Sequence, residues 1–267
     1  MKHTFTRHFN KRVILSGKIL EIYDYERPVI KGSQRKRFGR FNACKTTNET
    51  KQENRKKTAQ RARAKVKRII NANPHLNKFL TLTFSDNITN LSMAWYEFEK
   101  FVKRLKTKYK HFQSVNVIEF QKRGAVHFHL LCNLPFIKLD ELSKIWGHGF
   151  IKINRIDDVD NVGAYVTKYM TKDNIDERLA GRKCYSMSRN LKSPKCYTTE
   201  KEIDDILENV EDVTRVWSTE YKTEHYGIVK YTQVICARPI QAPRPRFIDR
   251  LRAWLIPLPD DTPTPWD

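Results

Sequence analysis

The chain has 267 residues, and 51 Lys plus Arg against 30 Asp plus Glu give it a formal charge of +21. That length suits one large domain or a domain with extensions, and the charge favours a polyanionic partner, nucleic acid in the first instance and an anionic membrane surface as its competitor. There is no apolar run of transmembrane length, no signal peptide and no lipidation motif, and the five cysteines form no Cys-x-x-Cys pair. This argues against a membrane protein, a zinc ribbon and a disulfide framework, and it fits a reducing bacterial cytoplasm.

Residues 1–74 read as a basic N-terminal extension. Residues 31–68 hold 15 Lys or Arg and two acidic residues, Glu49 and Glu53. Good helix formers over Asn54–Ile70 predict a helix that stops at Asn71-Ala72-Asn73-Pro74. Arg55, Lys56, Lys57, Arg61, Arg63, Lys65, Lys67 and Arg68 on it are candidate contacts to DNA phosphates. The plainer alternative is a solvated arm with no partner.

A structured core is predicted over 75–195. Phe79–Phe84 is β-rich and closes at Ser85-Asp86-Asn87, a turn cluster. Over 91–109, Leu91, Trp95, Phe98, Val102 and Leu105 recur at helical spacing. Two strands, 112–121 and 125–133, flank Lys122-Arg123-Gly124, which suits a three-residue hairpin loop with a left-handed glycine. Leu139–Trp146 reads as a short helix stopped by Gly147, and Phe150–Asn154 as a strand. Asp157 or Asp158 is placed to cap a helix carrying Tyr165. The order β-α-β-β-α-β-α predicts an α+β, ferredoxin-like layout, an antiparallel sheet with helices on one face. Residues 196–236, a helix at 199–209 and strands at 213–220 and 226–235, would complete or flank this core. Seven of the eleven prolines fall in 237–267, an irregular tail. No Gly-x-x-x-x-Gly-Lys-Ser/Thr loop is present, so no ATPase or helicase module is visible.

Two patterns carry chemistry. In His127-Phe128-His129 the imidazoles share one face of a strand, and the hairpin register puts Glu119 opposite His127 on that face. Two nitrogens and a carboxylate suit manganese, zinc or a similar divalent ion, and magnesium when substrate and water complete the shell. Tyr165 and Tyr169, four apart, would share a helix face, with Lys168 and Lys172 near them. Taken singly, each has a plainer reading: a hydrogen-bonded histidine pair, a packing face, surface charges, or Glu119 paired with Arg123. Their conjunction is what points to phosphodiester transfer, which needs an in-line nucleophile and charge neutralisation.

The motifs Phe79-Leu80-Thr81-Leu82-Thr83-Phe84, His127-Phe128-His129 and Tyr165-Val166-Thr167-Lys168-Tyr169-Met170-Thr171-Lys172 resemble those of the HUH endonucleases. The likeness is closest to two-tyrosine rolling-circle replication initiators of phages and plasmids, over about residues 75–175. It is weaker in Tyr185-Ser186-Met187-Ser188-Arg189-Asn190-Leu191. The resemblance implies a five-stranded antiparallel sheet and site-specific nicking of single-stranded or hairpin origin DNA. It also implies a covalent 5′-phosphotyrosine and a free 3′-hydroxyl that primes synthesis. By the same token His127, His129 and Glu119 become ligands of magnesium or manganese, and Tyr165 and Tyr169 the nucleophiles. Lys168 or Lys172 would position the phosphate, Arg123 would join the DNA contacts, and a host helicase and DNA polymerase would be partners. Many relatives use one tyrosine, and a relaxase, a transposase or a non-catalytic nucleic-acid-binding module remain alternative readings.

Overall fold

The computed structural model describes residues 7–31, 47–156, 159–170, 177–179, 182 and 184–241. Lys172, Asp157, Asp158, the basic stretch 32–46 and residues 242–267 of the expected tail lie outside them. In chain order the elements begin with β1 (Arg7–Ser16), β2 (Ile19–Lys31), α1 (Asn48–Asn71), β3 (Lys78–Thr83) and α2 (Leu91–Lys108). Next come β4 (Ser114–Phe120), β5 (Val126–Cys132), α3 (Leu139–Trp146), β6 (Ile151–Arg155) and α4 (Val162–Thr167), which runs into a 3-10 turn, Lys168–Met170. The rest are a 3-10 turn at Glu177–Leu179, β7 (Tyr185–Met187), β8 (Lys195–Tyr197), α5 (Glu200–Glu208), β9 (Val213–Thr223) and β10 (Gly227–Cys236). The fold is α+β with two five-stranded antiparallel sheets, and the chain divides into two units, 1–51 with 194–267 and 52–193.

In the unit 52–193 the strand order is β6-β3-β5-β4-β7. Counting β3 to β6 as one to four, this is 4-1-3-2 with crossovers α2 and α3, the ferredoxin-like arrangement with one added edge strand. One sheet face packs on α2 and α3: Leu80, Leu82, Ile118, Phe128 and Leu130 are buried against Phe98, Phe101, Leu105 and Trp146. Phe128 lies 4.5 Å from Phe98, nearly parallel, at the centre. Helices do not keep to one face, however. Val66, Ile69 and Ile70 of α1 and Val166 of α4 bury Phe79, Val115, Val117 and Leu131 on the other. The expected one-sided layout fails because Phe79, Val115, Val117 and Leu131 make part of the second face apolar as well, and that part requires cover.

In the unit 1–51 with 194–267 the order is β8-β1-β2-β10-β9. Residues 7–31, for which no strand is predicted, form a hairpin on whose β2 the expected 213–235 strand pair is continued through β10. Its alternation is partly hidden because the face opposite the aliphatic one is built of Phe9, Tyr23, Tyr25 and the buried Arg12, whose guanidinium stacks 4.3 Å from the Tyr23 ring. Val13, Leu15 and Leu20 on the aliphatic face pack on Ile203 and Ile206 of α5.

Candidate metal and tyrosine site

The site begins with the β4–β5 hairpin. Gln121 N donates to Ala125 O (2.8 Å), and Gly124 N donates to Gln121 O (2.8 Å). Gly124 adopts φ +88°, the left-handed region that favours glycine. This closure sets Glu119 opposite His127. Val126, Phe128 and Leu130 then point into the α2–α3 core, and His127 and His129 point to the α1–α4 face.

On that face the ligand atoms of Glu119, His127 and His129 all lie within 4.8 Å of one another. Glu119 Oε2 is 2.6 Å from His129 Nε2, and Thr81 Oγ1 is 3.2 Å from its Nδ1, so the ring is held from both sides. His127 Nε2 is buried and lacks a hydrogen-bond partner. Burial first, then the neighbouring His129 and Arg123, push the His127 pKa down to about 4 against the pull of Glu119. An uncharged imidazole with an unmade bond beside a carboxylate fits a divalent cation, and these three residues can hold one.

The tyrosines reach the same place by a route that differs from the expected one. The helix cap is Asn161, whose side chain accepts from Ala164 N (2.9 Å), so α4 begins later than an Asp157 or Asp158 cap implies. After Thr167 the backbone tightens into the 3-10 turn, and Tyr165 and Tyr169 meet edge to face with ring centres 6.3 Å apart. Tyr169 stacks on His129 at 4.0 Å. Phe79 lies between these groups, 5.7 Å from Tyr165, 5.6 Å from Tyr169 and 5.7 Å from His129. Lys168 Nζ sits 3.9 Å above the Tyr165 ring and 5.1 Å from the Tyr169 ring. Its charge therefore meets ring faces. The Tyr169 phenol is pushed up to about 12 by burial first, then by its hydrogen bond with Tyr165 and the charges of Tyr165 and Glu119.

A contact between α1 and α4 fixes this helix. Gly163 N donates to Asn71 Oδ1 (2.8 Å), and Asn71 Nδ2 donates to Asn161 Oδ1 (3.0 Å). A Cβ at position 163 would overlap the Lys67 carbonyl and come within 2.7 Å of Asn71 Oδ1. Lys56, Arg61 and Lys65 are exposed on α1; Arg55, Lys57, Arg63, Lys67 and Arg68 are half-buried, and Lys57 pairs with Glu53 at 2.9 Å. Arg123 braces the hairpin, donating to Gln121 Oε1 (2.8 Å) and Phe84 O (3.0 Å).

Residues 77–174 match the family model for the replication-associated proteins of the ORF2 type. The matched stretch contains the triad and both tyrosines, and the similarity supports a replication initiator with origin DNA as a consistent partner. Comparison with curated proteins and with solved structures gives no match. Among the described residues no helix is long and apolar enough to cross a membrane.

Sequence reasoning placed neither Phe79 nor the Asn71–Gly163–Asn161 contact at the site. Phe79 opens the first motif of the resemblance without a role of its own there, and the alternation Phe79, Thr81, Thr83 puts it on the histidine face once β3 pairs with β5. The asparagines join positions ninety residues apart, and no local pattern signals that.

Proposed function

We propose that this chain initiates rolling-circle DNA replication by nicking one strand at an origin and retaining its 5′ end on a tyrosine. The carrying observation is the stack of Tyr169 on His129 at 4.0 Å, which brings a phenol-bearing segment against the Glu119–His127–His129 group. In this reading the three residues hold magnesium or manganese. When bound, the ion supplies Lewis-acid charge to a phosphate oxygen.

The chain's own residues do the rest. Tyr165 attacks first, because burial and then the hydrogen bond to Tyr165 make the Tyr169 proton harder to remove than that of an ordinary phenol. The Tyr165 hydroxyl gives its proton to water as a new P–O bond forms to its oxygen and the P–O3′ bond breaks, and the departing 3′ oxygen takes up one proton from water to become the primer hydroxyl. The phosphotyrosine ester keeps the bond energy for rejoining, and Tyr169 serves the second transfer. Lys168, over both rings, orients them, and Lys172 assists at the phosphate. The exposed cations of α1 lie along the strand's phosphates, and a host helicase and polymerase open and extend the template.

Incubation with single-stranded origin DNA and manganese, followed by denaturing electrophoresis, tests this. A protein–DNA adduct is expected, lost in Tyr165→Phe with Tyr169→Phe, absent in His127→Ala, and kept in Tyr169→Phe alone. No adduct with any origin strand, or an adduct that survives the double substitution, would refute it.

A further inference from the structure

His129 is seated so that one of its two ring nitrogens, and only that one, can meet an ion held by Glu119 and His127. The residue is 4% exposed, and Tyr169 stacks on one face of its ring at 4.0 Å. Phe79 lies parallel to the ring at 5.7 Å. A half-turn about the Cβ–Cγ bond would sweep the imidazole through Tyr169, so the ring keeps its orientation. Nε2 faces Glu119, and Nδ1 faces Thr81 of the neighbouring strand β3. Thr81 stands there because it pairs in register with His129, which puts both side chains on one sheet face.

That fixed orientation sets a chemical requirement on Thr81. Glu119 Oε2 lies 2.6 Å from Nε2, the length of a charge-assisted N–H···O bond. In that arrangement the ring proton is on Nε2, and Nδ1 accepts a hydrogen bond from the Thr81 hydroxyl at 3.2 Å. A nitrogen that coordinates an ion must instead present its lone pair. Because the ring cannot turn, His129 reaches that form by carrying its proton on Nδ1. The N–H bond at Nε2 breaks and one forms at Nδ1, both by exchange with water, and the charge of the ring is unchanged. Nδ1 is then a donor in a buried place, where a donor left without a partner is costly.

A hydroxyl suits both forms of the ring. A backbone carbonyl only accepts and an amide N–H only donates, whereas Thr81 Oγ1 donates to one form and accepts from the other. Thr83, the same residue type two places on and opposite His127, makes no hydrogen bond to His127 Nε2. The strand presents two threonines to the histidines, and one of them holds a ring nitrogen.

We propose that Thr81 is a positioning residue for the ion. Its hydroxyl holds His129 Nδ1 in both proton arrangements, so Nε2 can pass from Glu119 to a divalent cation with no unmet bond on the far side of the ring. A partner of this kind on the outer nitrogen of a histidine ligand is worth about ten- to a hundredfold in metal affinity. The proposal rests on the reading of Glu119, His127 and His129 as ion ligands. It gives the first motif, Phe79–Phe84, a part in the site that the phosphodiester transfer leaves unassigned.

The test uses the full chain and manganese alone, with the free ion followed by electron paramagnetic resonance. Thr81→Val, which keeps the shape and removes the hydroxyl, should raise the manganese Kd by about tenfold. Thr81→Ser should bring it back to within about twofold of the parent, and Thr83→Val should leave it there. A second measurement needs no variant at position 81: in the parent chain carrying nitrogen-15 histidine, magnesium should move the His129 proton from Nε2 to Nδ1, with the ring assigned by its loss in His129→Gln. A Kd in Thr81→Val equal to the parent's, or a His129 ring that keeps its proton on Nε2 with magnesium bound, would overturn the role of Thr81 and leave the triad standing. Equal losses in Thr81→Val and Thr83→Val would overturn it as well, as a general disturbance of β3. A parent chain that binds no manganese would overturn the triad itself.

Discussion

Replacing His127 by Leu separates the cost of the ligand from its use. In the cation-free protein His127 Nε2 is buried with its bond unmade, which costs about 1–3 kcal/mol. Its pKa is about 4 folded against 6.5 for the free side chain. Between those values the unfolded chain binds a proton that the folded chain refuses, so stability falls as pH drops from about 6.5 towards 4 and is unaffected above. The full effect at pH 5 would be about 2 kcal/mol, and about 1 kcal/mol once partial exposure of the ring is allowed for. Leu at this position fills the strand face without a donor or a proton site. His127→Leu should therefore stabilise the cation-free protein by about 1 kcal/mol at neutral pH and flatten its stability profile between pH 6.5 and 4. It should also lose the gain that manganese gives the parent, about 2.7 kcal/mol at a hundredfold excess over Kd. Denaturant unfolding at several pH values, with and without manganese, reads all three. A variant that is less stable without the ion, or that keeps the manganese gain, would refute the ligand assignment.

Gly163→Ala should destabilise by about 3 kcal/mol, because its methyl would overlap the Lys67 carbonyl, a backbone group of α1 that cannot swing aside; urea midpoints check this, and adduct yield should fall with them as α4 shifts. Phe128→Ala should cost about 4 kcal/mol, since the ring is wholly buried and stacked on Phe98; a loss below 1 kcal/mol would mean that this core does not anchor the histidine strand. In ultraviolet difference titration two phenols, Tyr169 and Tyr197, both raised first by burial, should ionise near 12 in the parent, and only one should remain there in Tyr169→Phe. Because the free phenol titrates near 10, the unfolded chain loses the Tyr169 proton first, and stability should decline as pH rises from about 10 to 12.

Much of the hairpin site was legible because its geometry is local. A three-residue loop fixes which residues face each other, and side-chain alternation fixes the face; together they place Glu119, His127 and His129 with no long-range information. Helices α2 and α3 were legible from periodicity, with Gly147 at φ +74° ending α3 as its position implies. What the sequence hid depends on distant partners. The β1–β2 hairpin has apolar runs, Val13-Ile14-Leu15 and Ile19-Leu20-Glu21-Ile22-Tyr23, but they lie among basic residues, and one of these, Arg12, is buried where its charge suggests a surface position. The three-residue strands β7 and β8 exist only as edge partners of β4 and β1. The 3-10 turn at Lys168–Met170 is set by Tyr169 packing on Phe79 and His129, a tertiary demand that overrides the four-residue spacing.

The apolar setting of the triad has two consequences that pull in opposite directions. The face around Glu119, His127 and His129 is otherwise built of Phe79, Val115, Val117 and Leu131 under α1 and α4. Burial there strips the proton from His127, which leaves a ligand ready at neutral pH. The same burial fastens the proton on Tyr169, and Glu119 adds to it. In the proposed reading one environment thus prepares His127 as a ligand and disarms the nearby phenol. Cancelling two units of raised pKa takes about 2.7 kcal/mol, which a positive charge a few ångströms away in a half-buried site can supply. Positive charge at the triad would thus complete the His127 bond and weaken the hold on the Tyr169 proton together. That coupling makes a testable distinction between the tyrosines: second-transfer activity through Tyr169 should depend more steeply on cation concentration than first adduct formation through Tyr165, and equal dependence would show that burial does not set their order.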